Sequence, residues 1–323
     1  MTDQQLNQLA PETIGVKTLP TESLVPNPHN PRMLFDRRPM KVLEESIRKV
    51  GILVPLTVYR SEGLKQYVIL DGQRRWICAQ ALGLPEVPVN QVAEPTLVQN
   101  IVTMFQIHKL REDWELMPTA LKLEILMQEL QERNDGKLAD LTGLDEAMVS
   151  RCKKLLSYPK RFQDLMLDPD PDKRVKTDFF IELYAVRNDR FVNAMKWFAK
   201  DEFTERMLKK YETGAGIKAV TDFRIVKQHV SNARHAGQEK NIEKRLKEFT
   251  FDDTRTLDHL LIKSADISAS ARKLLSSLRK VHAELKALDP EDYYGEEELW
   301  DTLEQLLGTI RSKLLEAGRR PKA

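Results

Sequence analysis

Two adjacent arginines, Arg74 and Arg75, stand just past the apolar run that ends "YVILDG" and just before a helical pattern, "QRRWICAQALG". A strand that stops where a helix starts leaves backbone N–H groups unpaired, and the helix dipole adds positive potential there. Gly72 lets the backbone come close to an anion, and guanidinium forks take phosphate oxygens in pairs. The junction from Gly72 through Gln73 to Arg74 and Arg75 is therefore a candidate phosphate seat. The alternative is a pair of surface arginines with no ligand.

A second basic cluster lies in "KLADLTGLDEAMVSRCKKLL", Lys137 to Leu156. A helix-turn-helix needs a small residue where its helices cross, a glycine where the backbone turns left-handed, and an apolar inner stripe on the second helix. Ala139, Gly143, Val149 and Cys152 meet these demands in order, and Asp145 can cap the second helix. Projecting that helix puts Met148, Val149, Cys152, Leu155 and Leu156 inside. Ser150, Arg151, Lys153, Lys154 and Ser157 are left outside, and Lys160 and Arg161 extend the basic surface. Cations there can neutralise phosphates, and Ser150 or Arg151 can reach base edges in the major groove. The alternative is an ordinary helical pair with a solvated basic face.

These residues need elements to position them. From Lys17 to Val92 strands and helices alternate. A short strand leads into "PNPHNPR", where Pro26, Pro28 and Pro31 exclude a helix. "MKVLEESIRKVG" is an amphipathic helix with Val42, Leu43, Ile47 and Val50 on one face. "ILVPLTVYR" and "GLKQYVILD" are strands joined by a hairpin turn. The helix from Gln73 and a strand in "LPEVPVNQV" complete a small α/β domain. From Thr96 to His235 the pattern is helical. "SNARHAGQEKNIEKRLKE" is charged and poor in apolar residues, which suggests a linker or a solvated helix. From Ile267 to Leu288 apolar residues recur alternately every four and three positions. A second stripe runs from Leu299 to Leu314. Such seams close either a hairpin within one chain or a contact between two chains. The expected fold is α+β and predominantly helical. It has a mobile tail (1–17), an α/β domain (18–95), a helical DNA-binding domain (96–235) and a C-terminal helical dimerisation region (236–323).

Composition limits the function. The chain has 323 residues and a formal net charge of only +2, so any basic surface is local. Hydrophobic residues make up 41%, enough for real cores, yet no apolar run reaches membrane-spanning length. The polar N-terminus does not read as a secretory signal. Cys78 and Cys152 both fall in apolar helical patterns, as packing thiols of a reducing cytoplasm. No Walker loop, zinc-ligand pattern or Ser-His-Asp signature is present.

The order of "SLVPNPHNPR", "LEESIRKVGILVPLTVYR", "YVILDGQRRWICAQALGLPEVPV" and a helix-turn-helix resembles the ParB family of chromosome and plasmid partition proteins. The resemblance covers Leu19 to Pro159. It implies a ParB/sulfiredoxin-like nucleotide-binding domain that takes CTP, a helix-turn-helix that reads a short palindromic duplex, and C-terminal dimerisation. By the same resemblance, Gly72, Arg74 and Arg75 match the triphosphate motif, and Arg32 matches the arginine of the first nucleotide-site motif. Two departures bear on magnesium and hydrolysis. Gln73 stands where the family has glutamate. Neither "QNIVT" (Gln99–Thr103) nor "FQIHKLRED" (Phe105–Asp113) puts a glutamate ahead of its Asn or Gln. Magnesium prefers hard oxygen ligands, so Glu112 or Asp113 would have to substitute. His108 is either a base or a helix-face contact. The resemblance thus implies a cytoplasmic, DNA-associated homodimer that senses CTP, with or without magnesium. It would act in partition, alongside a ParA-like ATPase, or in related transcriptional control. The rivals are an enzyme of the same fold (a phosphotransferase, nuclease or CTPase) and a non-catalytic assembly scaffold.

Overall fold

The structure is a computed structural model that describes residues 13–30, 37–108 and 115–319. Five strands form one mixed sheet: β1 (Thr13–Pro20), β2 (Leu24–Pro26), β3 (Leu56–Arg60), β4 (Tyr67–Asp71) and β5 (Glu86–Val92), in the order β1-β5-β3-β4-β2. β1 runs antiparallel to β5, β5 parallel to β3, β3 antiparallel to β4 and β4 parallel to β2. Successive strand residues point to opposite faces, which gives the sheet two apolar layers. Leu56, Val58, Ile69, Val87 and Val89 pack on one face, with Ala79 of α2 (Gln73–Ala81). Tyr59, Val68, Leu70 and Val92 form a second cluster, and α3 (Leu97–His108) packs on β4.

Four local expectations need correction. Residues 13–17, assigned to a mobile tail, belong to β1 and pair with β5, so the α/β domain starts before residue 18. α1 (Arg37–Val50) buries Ile47, but Val42 and Val50 are 66% and 57% exposed. The helix rests on α2 along a narrow face, so only part of its apolar stripe is covered. The strand expected from Ile52 begins only at Leu56, and Leu53 and Val54 point to solvent. Pro55 cannot donate to a ladder, and the carbonyls of Val54 and Pro55 are taken by a side chain described below. Finally, the charged stretch read as a linker or solvated helix is packed. α11 (Asp222–His235) and α12 (Glu239–Phe251) bury Ala233, Ile242, Leu246 and Phe249.

The helices after the sheet are α4 (Leu116–Leu130), α5 (Asp135–Thr142), α6 (Glu146–Leu156), α7 (Lys160–Leu165), α8 (Thr177–Arg187), α9 (Arg190–Asn193) and α10 (Lys200–Thr213). Tyr158, Phe162, Phe179 and Phe180 stack edge-on in their core. The long helices α13 (Lys263–Ala287) and α14 (Glu297–Glu316) end the chain. Two compact units result. One holds the sheet and the helices up to Lys227, with Lys247–Leu257; the other holds Gln228–Leu246 and the residues from Asp258 onward. No helix among the described residues is long and apolar enough to cross a membrane.

Candidate nucleotide and DNA sites

β4 ends at Asp71, and Gly72 turns the chain into α2 at φ 97° and ψ 16°. That left-handed conformation suits glycine alone. A Cβ here would also sit 2.9 Å from Leu56 Cγ and 3.0 Å from Arg75 Nη2. No side chain caps the start of α2.

The two arginines have different surroundings. Arg75 Nη2 donates to Asp71 Oδ2 at 2.8 Å, and both side chains are mostly buried. Its Nη1 donates to the carbonyls of Val54 and of Pro55, the latter at 3.0 Å. Arg75 thus straps the segment before β3 to the end of β4. Asp71 Oδ1 is buried without a hydrogen-bond partner. Arg74 Nη2 donates to the Pro39 carbonyl over 3.3 Å. Gln73 Oε1 accepts from Asn30 Nδ2 at 2.6 Å, which ties the start of α2 to the "NPHN" loop.

That loop is fixed from several sides. Asn27 Oδ1 accepts from the His29 N–H, and the Asn30 N–H closes the turn on the Asn27 carbonyl. Asn27 Nδ2 donates to Asn100 Oδ1 on α3 at 2.7 Å, and Asn100 in turn donates to the Tyr59 hydroxyl. Asn100 of "QNIVT" is therefore a buried strut. Lys122 of α4 donates to the Pro28 carbonyl at 2.9 Å. Burial lowers the Lys122 pKa, and burial followed by the Lys122 charge lowers that of His29. Arg32, Glu112 and Asp113 lie outside the described residues, and His108 ends α3. Asn30, Lys122 and Asp71 were not found by sequence reasoning, because their roles depend on partners distant in the chain or on carbonyl positions.

The helix-turn-helix is built by local rules. Asn134 caps α5 by accepting from the Lys137 N–H. Gly143 ends α5 in the left-handed region at φ 74°. Asp145 caps α6, accepting from the Met148 N–H at 2.6 Å. Val149, Cys152 and Leu155 are fully buried, with Met148 and Leu156 half-buried beside them. Burial pushes the Cys152 thiol up to about 12, so it is a packing group. α4 and α8 pack against α6. Arg151 is exposed, while Ser150, Lys153 and Lys154 are half-buried. Arg151 pairs with Asp178 at 3.4 Å. Lys153 pairs with Asp135 and donates to the Arg133 carbonyl. Lys154 lies 5.9 Å from the Tyr184 ring centre, and Lys160 pairs with Asp164 at 2.8 Å. The exposed Ala147, on the first turn of α6, also faces outward and was missed from sequence because it carries no charge.

Comparison with known proteins bears on this geometry. Residues 4–105 match the family model for the ParB N-terminal domain. The chromosome-partitioning protein ParB of Caulobacter vibrioides is 30% identical over 161 residues, covering 47% of this chain and 50% of that protein. The stage 0 sporulation protein J of Bacillus subtilis is 32% identical over 164 residues, covering 50% and 56%. A solved structure of C-terminally truncated ParB from Caulobacter crescentus with CTP-gamma-S is 27% identical and has a TM-score of 0.28. It covers 53% of this chain and 92% of that one. The chain spans about half the length of the curated relatives it matches. The family-model match thus identifies a ParB N-terminal domain over the segment that carries the mixed sheet and the Gly-Gln-Arg-Arg junction.

Proposed function

We propose that the chain is a CTP-sensing, DNA-binding partition protein that works as a cytoplasmic, DNA-associated homodimer. The observation that carries this reading is the Gly72–Arg75 junction, held against the Asn27–Asn30 loop within the unit that also carries the helix-turn-helix. Arg74, the start of α2 and the Gly72 backbone would meet the phosphates; Arg32 would join them. Gln73 would position the loop, and Arg75 would shape the seat from beneath. α6 would enter the major groove, with Ser150 and Arg151 toward base edges and Lys153, Lys154 and Lys160 toward phosphates.

Magnesium fits this donor set poorly. Gln73 is neutral, Asp71 Oδ2 accepts from Arg75, and among the described residues no three acids, histidines or cysteines cluster. We infer slow or absent turnover. Support for the dimer comes from α13 and α14. Ile267 and Leu274 are 70% and 61% exposed, Ala265 is the one buried residue of α13, and α14 buries none. The seam is therefore uncovered among the described residues, as a partner chain requires. A ParA-like ATPase is the expected further partner.

The deciding experiment is isothermal titration with CTP, ATP and GTP, with and without magnesium. CTP binding that is lost in Arg74→Ala supports the reading. A wild-type chain that binds none of the three refutes the nucleotide site.

A further inference from the structure

The cations that the recognition face offers to DNA are already held by groups of the same chain. Asp178 from the first turn of α8 takes Arg151, Asp135 from the first turn of α5 takes Lys153, and Asp164 takes Lys160. Lys154 lies over the Tyr184 ring, and its charge and that of Arg151 help hold Glu182 below the usual carboxylate range, after the larger effect of its bond to Arg224. From Glu132 to Leu156, carboxylates equal cations in number. A helix that binds DNA through phosphate neutralisation alone would not be built this way.

Binding to arbitrary duplex is driven by counterion release, about one ion per phosphate that meets a free cation. A cation that already has a carboxylate neutralises a phosphate less completely, so fewer ions leave the duplex. When a phosphate displaces that carboxylate, the freed acid stays nearby and repels the duplex. Exposed pairs are weak, so they open readily once base-edge contacts add to the phosphate contacts. The carboxylates therefore act against the non-specific mode more than against the specific one.

We propose that Asp178, Asp135 and Asp164 are specificity-determining residues, which suppress binding to arbitrary duplex by holding the DNA-facing cations in pairs that only a cognate site opens. This rests on the DNA-binding reading of α6. It makes the small net charge part of the recognition mechanism: the helix face is basic in residue type but nearly silent in field.

The test uses the full chain and fluorescence anisotropy on two duplexes, one of random sequence and one enriched from a random pool by the wild-type chain. The variants are D178N with D164N, and the triple variant that adds D135N. Asparagine keeps the shape, and the double variant leaves the first turn of α5 untouched. A control removes the same charge elsewhere, by E22Q, E62Q and E86Q at exposed positions of the N-terminal domain. The triple variant is expected to bind the random duplex at least about tenfold tighter. Its salt slope should steepen by up to about 0.9 per freed cation, with less than about threefold change on the enriched duplex. An unchanged random-duplex affinity and slope, in a wild-type chain that binds the enriched duplex, overturns the proposal. An equal rise in the control also overturns it, because net charge then suffices. If neither wild type nor variants bind any duplex, the DNA-binding reading itself fails and takes this inference with it.

Discussion

Replacing Arg75 with alanine should damage the fold before it damages binding, and Arg74→Ala should do the reverse. Arg75 and Asp71 are 15% and 16% exposed at their side chains, and the same guanidinium holds the Val54 and Pro55 carbonyls. Removing one member of a mostly buried pair strands the other, at a cost of about 3–5 kcal/mol. Asp71 already has one oxygen without a hydrogen-bond partner, so no local substitute is at hand. Arg74 Nη2 donates to the Pro39 carbonyl over 3.3 Å, a weaker tie than a mostly buried charge pair, so its loss should lower stability less than the loss of Arg75 does. A charge-assisted hydrogen bond to phosphate is worth roughly 1.5–3 kcal/mol, which predicts at least about a tenfold loss of CTP affinity in Arg74→Ala. Urea denaturation followed by tryptophan fluorescence reads the first effect, since Trp76 lies in α2 and donates to the Thr21 carbonyl. With a urea slope of about 2–3 kcal/mol per molar, Arg75→Ala should lower the midpoint by at least about 1 M. Titration with CTP reads the second effect. If Arg75→Ala unfolds at the wild-type urea concentration yet no longer binds CTP, the guanidinium serves the ligand and the strap argument is wrong.

Replacing Arg151, Lys153 and Lys154 together with alanine should weaken binding to the enriched duplex and flatten the dependence of log affinity on log salt there by roughly 0.9 per lost phosphate contact; an unchanged slope on that duplex in a filter-binding titration removes α6 from the interface. Removing Arg272–Ala323, which spares the buried Leu260, Ile262 and Ala265, should turn a dimer into a monomer. Sedimentation that finds the shortened chain still dimeric places the contact elsewhere. His29 has a pKa lowered below 6.5 by burial and by Lys122, so the unfolded chain takes up its proton first as the pH falls. Stability should drop as the pH falls through 6.5 toward the folded value, and His29→Gln should lose that dependence; parallel urea midpoints from pH 7.5 to 5.5 in the two proteins contradict it.

What the sequence revealed and what it hid follows from how far apart interacting groups lie along the chain. The helix-turn-helix was legible because its determinants are local. Asp145 reaches a backbone N–H three residues on, and Gly143 needs only its own φ. The Gly72 turn was legible for the same reason. The charged stretch around α11 and α12 misled because its mean composition hides a spacing: Ile242, Leu246 and Phe249 recur at four and three, and all are buried. Three apolar residues on one face suffice to dock a helix, whatever the rest of its surface carries.

The candidate sites were legible as residue types and not as roles. Arg74 and Arg75 are identical in kind and adjacent, yet Arg75 straps the segment before β3 while Arg74 reaches the Pro39 carbonyl, because side chains one position apart on a helix point about 100° apart. Only the positions of the Val54 and Pro55 carbonyls, about twenty residues back, decide which is which. Lys122 meets Pro28 across 94 residues, Asn27 meets Asn100 across 73, and Arg151 meets Asp178 across 27. Each of these contacts joins a site residue to an element with a different local pattern. The consequence reaches past bookkeeping of contacts. Counted from sequence, the outward face of α6 is basic; counted with its tertiary partners, it is close to neutral. A motif therefore identifies which groups could meet a phosphate, while the fold decides which of them are available to do so.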